Sequence, residues 1–478
     1  MRAFDVIVAG GGPAGCVLAA RLSEDPDTSV CLIEAGPDYG PRADGRWPPE
    51  LVDPSGIPDS HDWRDDGASL PWARVLGGCS AHNACAVTRG AAADYDAWMD
   101  YGGSGWGWAA LEPCFERARG AIGAVVRPGP DVGSWHAAVV AAAVETGLPE
   151  LPDLDAGEEG AGIAATNVVE GARNNAAFAY LDAARGRSNL TVIGDTFVDR
   201  VLLDGGRATG VAVRGGEAGR VDAGRVILAA GSYGSPAILL RSGIGPEDEL
   251  RAHGIEPLHV LAGVGVGLAD HCRAGIGFGL RDEAAAALTV ESGERATVAQ
   301  CIVKRATPHA DGPWDMHVLA IVPPDRATAR LTAGLVMPRS RGRVGLQSAD
   351  PERLPRVEHG FLTDAGGHDL EALADGIEYL RALGRTGAAS ALVTSEIDPG
   401  ADTNAADHAR ATATTYYHPT GTCRLGRADD PHAVVDAQAA VHGLESLYVG
   451  DASIVPEPVR AGTHLTALAV AERVAELR

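Results

Sequence analysis

The stretch Phe4-Asp5-Val6-Ile7-Val8-Ala9-Gly10-Gly11-Gly12-Pro13-Ala14-Gly15 constrains this chain more than any other. Val6 to Ala9 read as a buried strand. Gly10, Gly12 and Gly15 fill the G-x-G-x-x-G positions, and Val17, Leu18 and Leu22 continue at helical spacing. Gly10 makes the turn, Gly12 lets a pyrophosphate approach the backbone, and Gly15 lets the helix pack on the strand. The free N–H groups and dipole at the helix N-terminus favour the phosphate charge. Val30-Cys31-Leu32-Ile33-Glu34 then reads as a second strand ending in an acid about 20 residues on, where a carboxylate accepts hydrogen bonds from an adenosine ribose. Strand, turn, helix, strand and acid together predict a dinucleotide bound to a Rossmann-like α/β unit, and leave FAD and NAD open.

The 478 residues are enough for two or three domains or one elaborate two-domain enzyme. The formal charge of −24 argues against nucleic acid and anionic membranes as partners, because both need clustered cations. Lys304 is the only lysine, and the eight cysteines form no C-x-x-C and no metal-ligand spacing. No apolar run reaches membrane-spanning length, and the first strand starts within a few residues of Met1, so a cytoplasmic protein with reduced thiols is expected.

From Glu34 to Pro71 the Pro-, Gly- and Asp-rich chain reads as surface loop, with Trp47 and Trp63 as candidate anchors. Residues 109 to 120 and 134 to 147 read as helical. Leu190 to Val213 suggests a hairpin, and Arg225 to Gly231 another buried strand leading into a helix over Ala237 to Leu240. Val298 to Val303 and Met316 to Val322 read as strands, with a helix near Asp369 to Leu383. A strand over Ser446 to Ala452 and a closing amphipathic helix over Leu465 to Leu477 complete the chain.

Five stretches resemble the glucose-methanol-choline (GMC) flavin oxidoreductases. They are Gly77-Gly78-Cys79-Ser80-Ala81-His82-Asn83; Gly231-Ser232-x-x-Ser235-Pro236-x-Ile238-Leu239-x-x-Ser242-Gly243-Ile244-Gly245; Val264 to His271, one residue shorter than the family's G-V-G-x-x-L-x-D-H turn; Pro338 to Gly342 with Ser348, Asp350 and Pro351; and His418-Pro419-Thr420-Gly421-Thr422. The matches run in family order from residue 5 to about 476. The resemblance implies FAD, held in a Rossmann-like FAD-binding domain (1–115, 186–278 and 424–478). An α+β substrate domain on an antiparallel sheet (116–185 and 279–423) is inserted in it. It further implies cofactor contacts from Gly10, Gly12, Pro13, Ala14, Gly15, Glu34 and Ala35, and from Arg74, Leu76, Gly78, Cys79, Ser80, His82, Asn83 and Ala84. Val198, Ala230, Gly231, Asp451, Ala452, His464 and Leu465 complete the set, with Val198 and Asp451 open to blander roles as core residue and cap.

Alcohol oxidation needs a group that takes the hydroxyl proton while hydride leaves carbon for flavin N5, and a donor that steadies the alkoxide. The resemblance implies that His418 and His464 are these two groups, with His418 as the first choice for the base and the roles exchangeable. The Cys79 to Cys85 turn is similar to the choline oxidase version, in which the histidine is bonded to the flavin 8α-methyl. His82 is therefore expected to carry FAD covalently, against the alternative of a histidine that only stacks on it. Choline oxidases have Asn where His464 stands, a departure that weighs against choline as substrate. The expected function is oxidation of the CH–OH of a small or medium alcohol (a sugar, amino alcohol or aromatic alcohol), with oxygen or another electron acceptor, in a monomer or homodimer. The rival reading is a non-redox flavoprotein of the hydroxynitrile-lyase type.

Overall fold

The computed structural model describes residues 3–65, 68–127, 132–216, 219–284, 297–322 and 328–478. Parts of the expected substrate domain, 285–296 and 323–327, lie outside them. Two seven-stranded sheets carry the fold. In the first, Leu190–Ile193, Val30–Ile33, Ala3–Ala9, Gly219–Leu228 and Leu447–Val449 run parallel. Arg207–Gly215 and Thr196–Asp204 extend the Gly219–Leu228 strand as an antiparallel hairpin. Val6 to Ala9 and Val30 to Ile33 are wholly buried, as apolar runs covered on both faces must be.

The second sheet is antiparallel: Val393–Asp398, Cys272–Leu280, Thr328–Leu335, Met316–Ile321, Cys301–Arg305 and Gly160–Ile163, with Thr414–Thr415 beside Cys272 and Arg273. Its alternation decides what the site contains. Met316, Val318 and Ala320 face a core closed by the helices Ser134–Glu145 and His368–Gly384, whereas His317, Leu319 and Ile321 face a cavity. Along Cys272–Leu280 the residues Cys272, Ala274, Ile276 and Phe278 likewise enter that core, and Arg273 faces the cavity.

Three local expectations are corrected. Leu190–Ile193 is a parallel edge strand beside Val30–Ile33, so only Thr196–Asp204 and Arg207–Gly215 form a hairpin. The strand expected over Val298 to Val303 is Cys301–Arg305. The segment up to Pro71 holds a hairpin, Asp62–Asp65 with Ala68–Ala73, whose Trp63 and Trp72 stack with centroids 4.6 Å apart, while Trp47 is buried with its Nε1–H on the Gly40 carbonyl at 2.8 Å. Aromatic packing outweighs the turn-forming composition there. The helices Trp108–Ile122, Gly231–Arg241 and Thr463–Glu476 form where helical periodicity was read.

Arg460 holds the loop before the closing helix against the second sheet. Its Nη1 pairs with the buried Asp94, its Nε donates to the Trp314 carbonyl at 2.6 Å, and Trp314 Nε1 donates back to the Arg460 carbonyl at 3.1 Å. Asp94→Asn leaves this guanidinium buried without its counter-charge. Breaking such a pair costs about 3–5 kcal/mol, so denaturant melts should show a marked loss of stability, and an unchanged midpoint would refute the role.

Candidate active site

The two sheets meet across a cavity of about 680 Å³. One wall is two glycine turns pressed together. Gly10, at φ +109°, has no room for a side chain against the Ala229 carbonyl, and a Cβ on Gly15 would sit 1.9 Å from the Gly10 oxygen. Gly12 has free space where its side chain would be, at the N-terminus of the helix Pro13–Leu22. Gly77 N–H donates to the Gly11 carbonyl at 2.7 Å, and a Cβ on Gly78 would sit 2.6 Å from Gly12 Cα.

Glu34 closes this wall. Its carboxylate accepts from Gly11 N–H and Gly36 N–H, each at 2.7 Å, and burial raises its pKa to about 7. Asp451 is buried and takes both oxygens into protein bonds, from Gly231 N–H (2.8 Å), Ser235 Oγ (2.5 Å), Ser453 N–H (2.8 Å) and Ser453 Oγ (2.5 Å). It therefore caps the helix that Gly231 opens while lining the cavity. Pro13, Ala14, Ala35, Cys79, Ser80, Asn83, Ala84, Val198, Ala230 and Ala452 line the cavity with it. Four expected residues do not. Gly15 and Leu465 are packed inside, the buried Leu76 side chain lies against Gly11, and Arg74 donates from Nε to the Ala35 carbonyl at 3.1 Å.

His82 lies buried at the cavity edge with Nδ1 3.3 Å from Asp62 Oδ1. Burial works against its charge, but Asp62 and the Cys79 thiol outweigh it and push His82 up to about 9. His82 in turn leaves the Cys79 thiol below its ordinary value although burial raises it.

His418 and His464 reach the same cavity from different segments. The orientation of Asn83 is set by Cys85 N–H, which donates to Asn83 Oδ1 at 3.0 Å, so Asn83 Nδ2 donates to His464 Nδ1 at 3.3 Å. His464 therefore carries its proton on Nε2, which is buried with no protein partner. His418 Nδ1 lies 2.9 Å from His271 Nδ1. The carbonyls of Val459 and Val336 lie by the His271 ring, and one proton bridges the two Nδ1 atoms. His418 Nε2 lies near Gly462. Burial depresses all three rings, His464 to about 4, His271 to about 3 and His418 well below the usual histidine range. Asp270 fixes the His418 backbone, accepting from its N–H at 2.9 Å and from Thr415 Oγ1 at 2.5 Å. Tyr417, between them, is held at φ +68°.

Two histidines kept neutral by burial thus line one cavity beside a glycine-rich nucleotide cradle. His271 and Asp270 were visible in the sequence only as part of a turn motif, and neither His317 nor Arg273 carried a signal before the sheet alternation was known.

The arrangement is that of a flavin-dependent oxidoreductase. Family models described as GMC oxidoreductase match residues 4–273 and 338–471, and the chain belongs to that family. It is 31% identical to mitochondrial choline dehydrogenase of Homo sapiens over 99% of this chain and 89% of that protein, and 32% identical to choline oxidase of Arthrobacter globiformis over 100% and 94%. The crystal structure of pyridoxine 4-oxidase from Mesorbium loti superposes with a TM-score of 0.88 at 30% identity, covering 99% of this chain and 98% of that one. The chain is an FAD-dependent oxidoreductase acting on CH–OH donors. The cleft fits FAD on its own geometry: the side-chain-free Gly12 at a helix N-terminus, the buried Glu34 carboxylate and the unpartnered His464 Nε2 all face it.

His271→Leu removes the partner that His418 Nδ1 meets at 2.9 Å; with His418 as the base proposed below, flavin reduction by alcohol should slow by about 10²-fold, the lower range for loss of a positioned base. His271→Asn keeps an acceptor and should retain most of the rate in anaerobic stopped-flow measurements. Equal losses in both variants would refute the assignment.

Proposed function

We propose that His418 Nε2 takes the substrate hydroxyl proton and that His464 Nε2–H donates to the same oxygen as its negative charge develops. What supports this is the pair of ring contacts: Asn83, oriented by Cys85, puts the His464 proton on Nε2, and a proton held between the His271 and His418 Nδ1 atoms leaves His418 Nε2 as the acceptor when it rests on His418. When bound, FAD supplies the hydride acceptor. Asp270 and His271 keep the base oriented, and the surrounding burial keeps it neutral, so it is ready to accept a proton at physiological pH. Glu34 and the two glycine turns are the binding site for the adenosine and pyrophosphate, with the chain from Gly78 to Ala84 and Asp451 to Ala452 toward the flavin. The first sheet and its core make up the FAD-binding part (1–115, 186–278, 424–478). The second makes up the substrate part (116–185, 279–423), to which Cys272–Leu280 contributes its strand.

His82 is in this reading the point of covalent attachment to FAD, supported by its place at the cavity edge beside Asp62 and Cys79. The ring must lose its proton to act as nucleophile. With its pKa pushed up to about 9, attachment after adding FAD to the apoprotein should speed up as pH rises toward 9. Flavin should stay with acid-precipitated protein and be released from His82→Ala; release from the unsubstituted protein would refute the link. Among the described residues no helix is long and apolar enough to cross a membrane. The eight free cysteines support a reducing, cytoplasmic setting. A monomer or homodimer is proposed, with oxygen or another acceptor reoxidising the flavin. The similar proteins named above are oxidases and dehydrogenases, and the lyase alternative finds no support among them.

Substrates that bleach the flavin anaerobically test the function directly. His418→Ala should lower the rate about 10²- to 10⁴-fold. Because burial depresses His418, the base stays unprotonated well below pH 6.5, so the rate should be flat from pH 9 to pH 6.5 and fall only at lower pH. An acid limb centred above pH 6.5 would contradict this.

A further inference from the structure

We infer that the substrate is an alcohol that also carries a carboxylate, bound by Arg273 while its hydroxyl lies at His418 and His464. Arg273 is the second residue of the strand Cys272–Leu280, and alternation sends its side chain to the cavity face, opposite Cys272 and Ala274, which enter the core. The guanidinium is held in place: Nε donates to the Thr415 carbonyl at 2.9 Å, Nη2 donates to Tyr417 Oη at 3.0 Å, and the group lies 5.2 Å from the Tyr417 ring centroid. These bonds occupy Nε and Nη2, and among the described residues Nη1 has no hydrogen-bond partner.

No carboxylate among the described residues forms an ion pair with Arg273. Asp270 feels the charge of Arg273, but its carboxylate is buried and bonded to Thr415 and His418, so with 64 acidic against 40 basic residues the guanidinium is still open to a ligand carboxylate. The rest of this wall agrees. Ile302, Leu319 and Ile321 are apolar, and His317 is kept uncharged by burial. The cavity carboxylates Glu34, Asp59, Asp62, Glu352 and Asp451 come from other segments, so among the described residues the second sheet presents one positive charge and no negative one. A carboxylate meets Arg273 in a charge-assisted hydrogen bond, and a cationic substrate meets repulsion. The loop that Arg273 grips, Thr415 to Tyr417, leads directly into His418, so an anion bound there is anchored beside the reacting group.

The inference rests on His418 and His464 being the reacting pair, and its test separates the two ideas. The FAD-loaded enzyme is titrated by calorimetry with benzoate, benzamide and benzyltrimethylammonium, which have no CH–OH to oxidise. Anaerobic flavin reduction is then measured with benzyl alcohol and with 4-(hydroxymethyl)benzoate, for the unsubstituted chain and for Arg273→Gln, Arg273→Glu and Arg273→Lys. Benzoate should bind at least about tenfold more tightly than benzamide, and benzyltrimethylammonium most weakly. The kcat/KM ratio of the hydroxy acid to the neutral alcohol should fall about 10- to 100-fold in Arg273→Gln, fall further in Arg273→Glu, and be largely kept in Arg273→Lys, which retains charge but not the fork. Equal binding of benzoate and benzamide would overturn the inference. So would an unchanged ratio in Arg273→Gln with both rates reduced together, which is what a mere clamp on the Thr415–Tyr417 loop predicts. If benzoate is preferred but no alcohol bleaches the flavin, the anion site stands and the oxidation reading falls.

Discussion

The contact on which the rest of this structure depends is between two backbones with no side chains between them. Gly77 N–H reaches the Gly11 carbonyl, and Gly78 lies on Gly12 closely enough that a single methyl group would not fit. That approach brings the turn carrying Cys79, His82 and Asn83 onto the nucleotide-binding turn. It also sets where Asn83 can meet His464, and so which nitrogen of His464 carries the proton. The buried Arg173 secures the turn from behind, donating to the carbonyls of Ala81 (2.9 Å) and Asn83 (3.1 Å).

The chemistry follows from keeping histidines neutral. Solvent-exposed imidazoles would be partly protonated near neutral pH and indifferent between tautomers. Here burial removes the charge, Asn83 as donor removes the choice of tautomer at His464, and His271 shares a proton with His418. The strain at Tyr417, a bulky residue at positive φ, is held by Asp270 gripping Thr415 and His418 on either side. Neighbouring residues just before one strand, Asp270 and His271, therefore place the backbone and the ring of the same histidine, His418.

Much of the nucleotide cradle could be read from the sequence because its signal is local. The glycine spacing, the buried strands and Glu34 all lie within one strand–helix–strand unit whose geometry is nearly independent of the rest of the chain. The Leu190–Ile193 strand was misread as half of a hairpin because four residues show no useful alternation and its parallel partner, Val30–Ile33, is far away in sequence. The hairpin holding Trp63 and Trp72 hid behind turn-forming residues, since ring stacking leaves no periodic trace.

By itself the sequence determined the family and the cofactor and pointed to His418 and His464, because each rests on residue types at short fixed spacings. Only the tertiary structure decided what those histidines meet. Asn83 and His464 are 381 positions apart, His271 and His418 are 147 apart, and a proton's place on an imidazole depends on the partner it meets in space. The same holds for Arg273 and His317. Each becomes part of the cavity because an antiparallel sheet sends alternate side chains to opposite faces, and which face is covered by helices is settled only when the sheet packs.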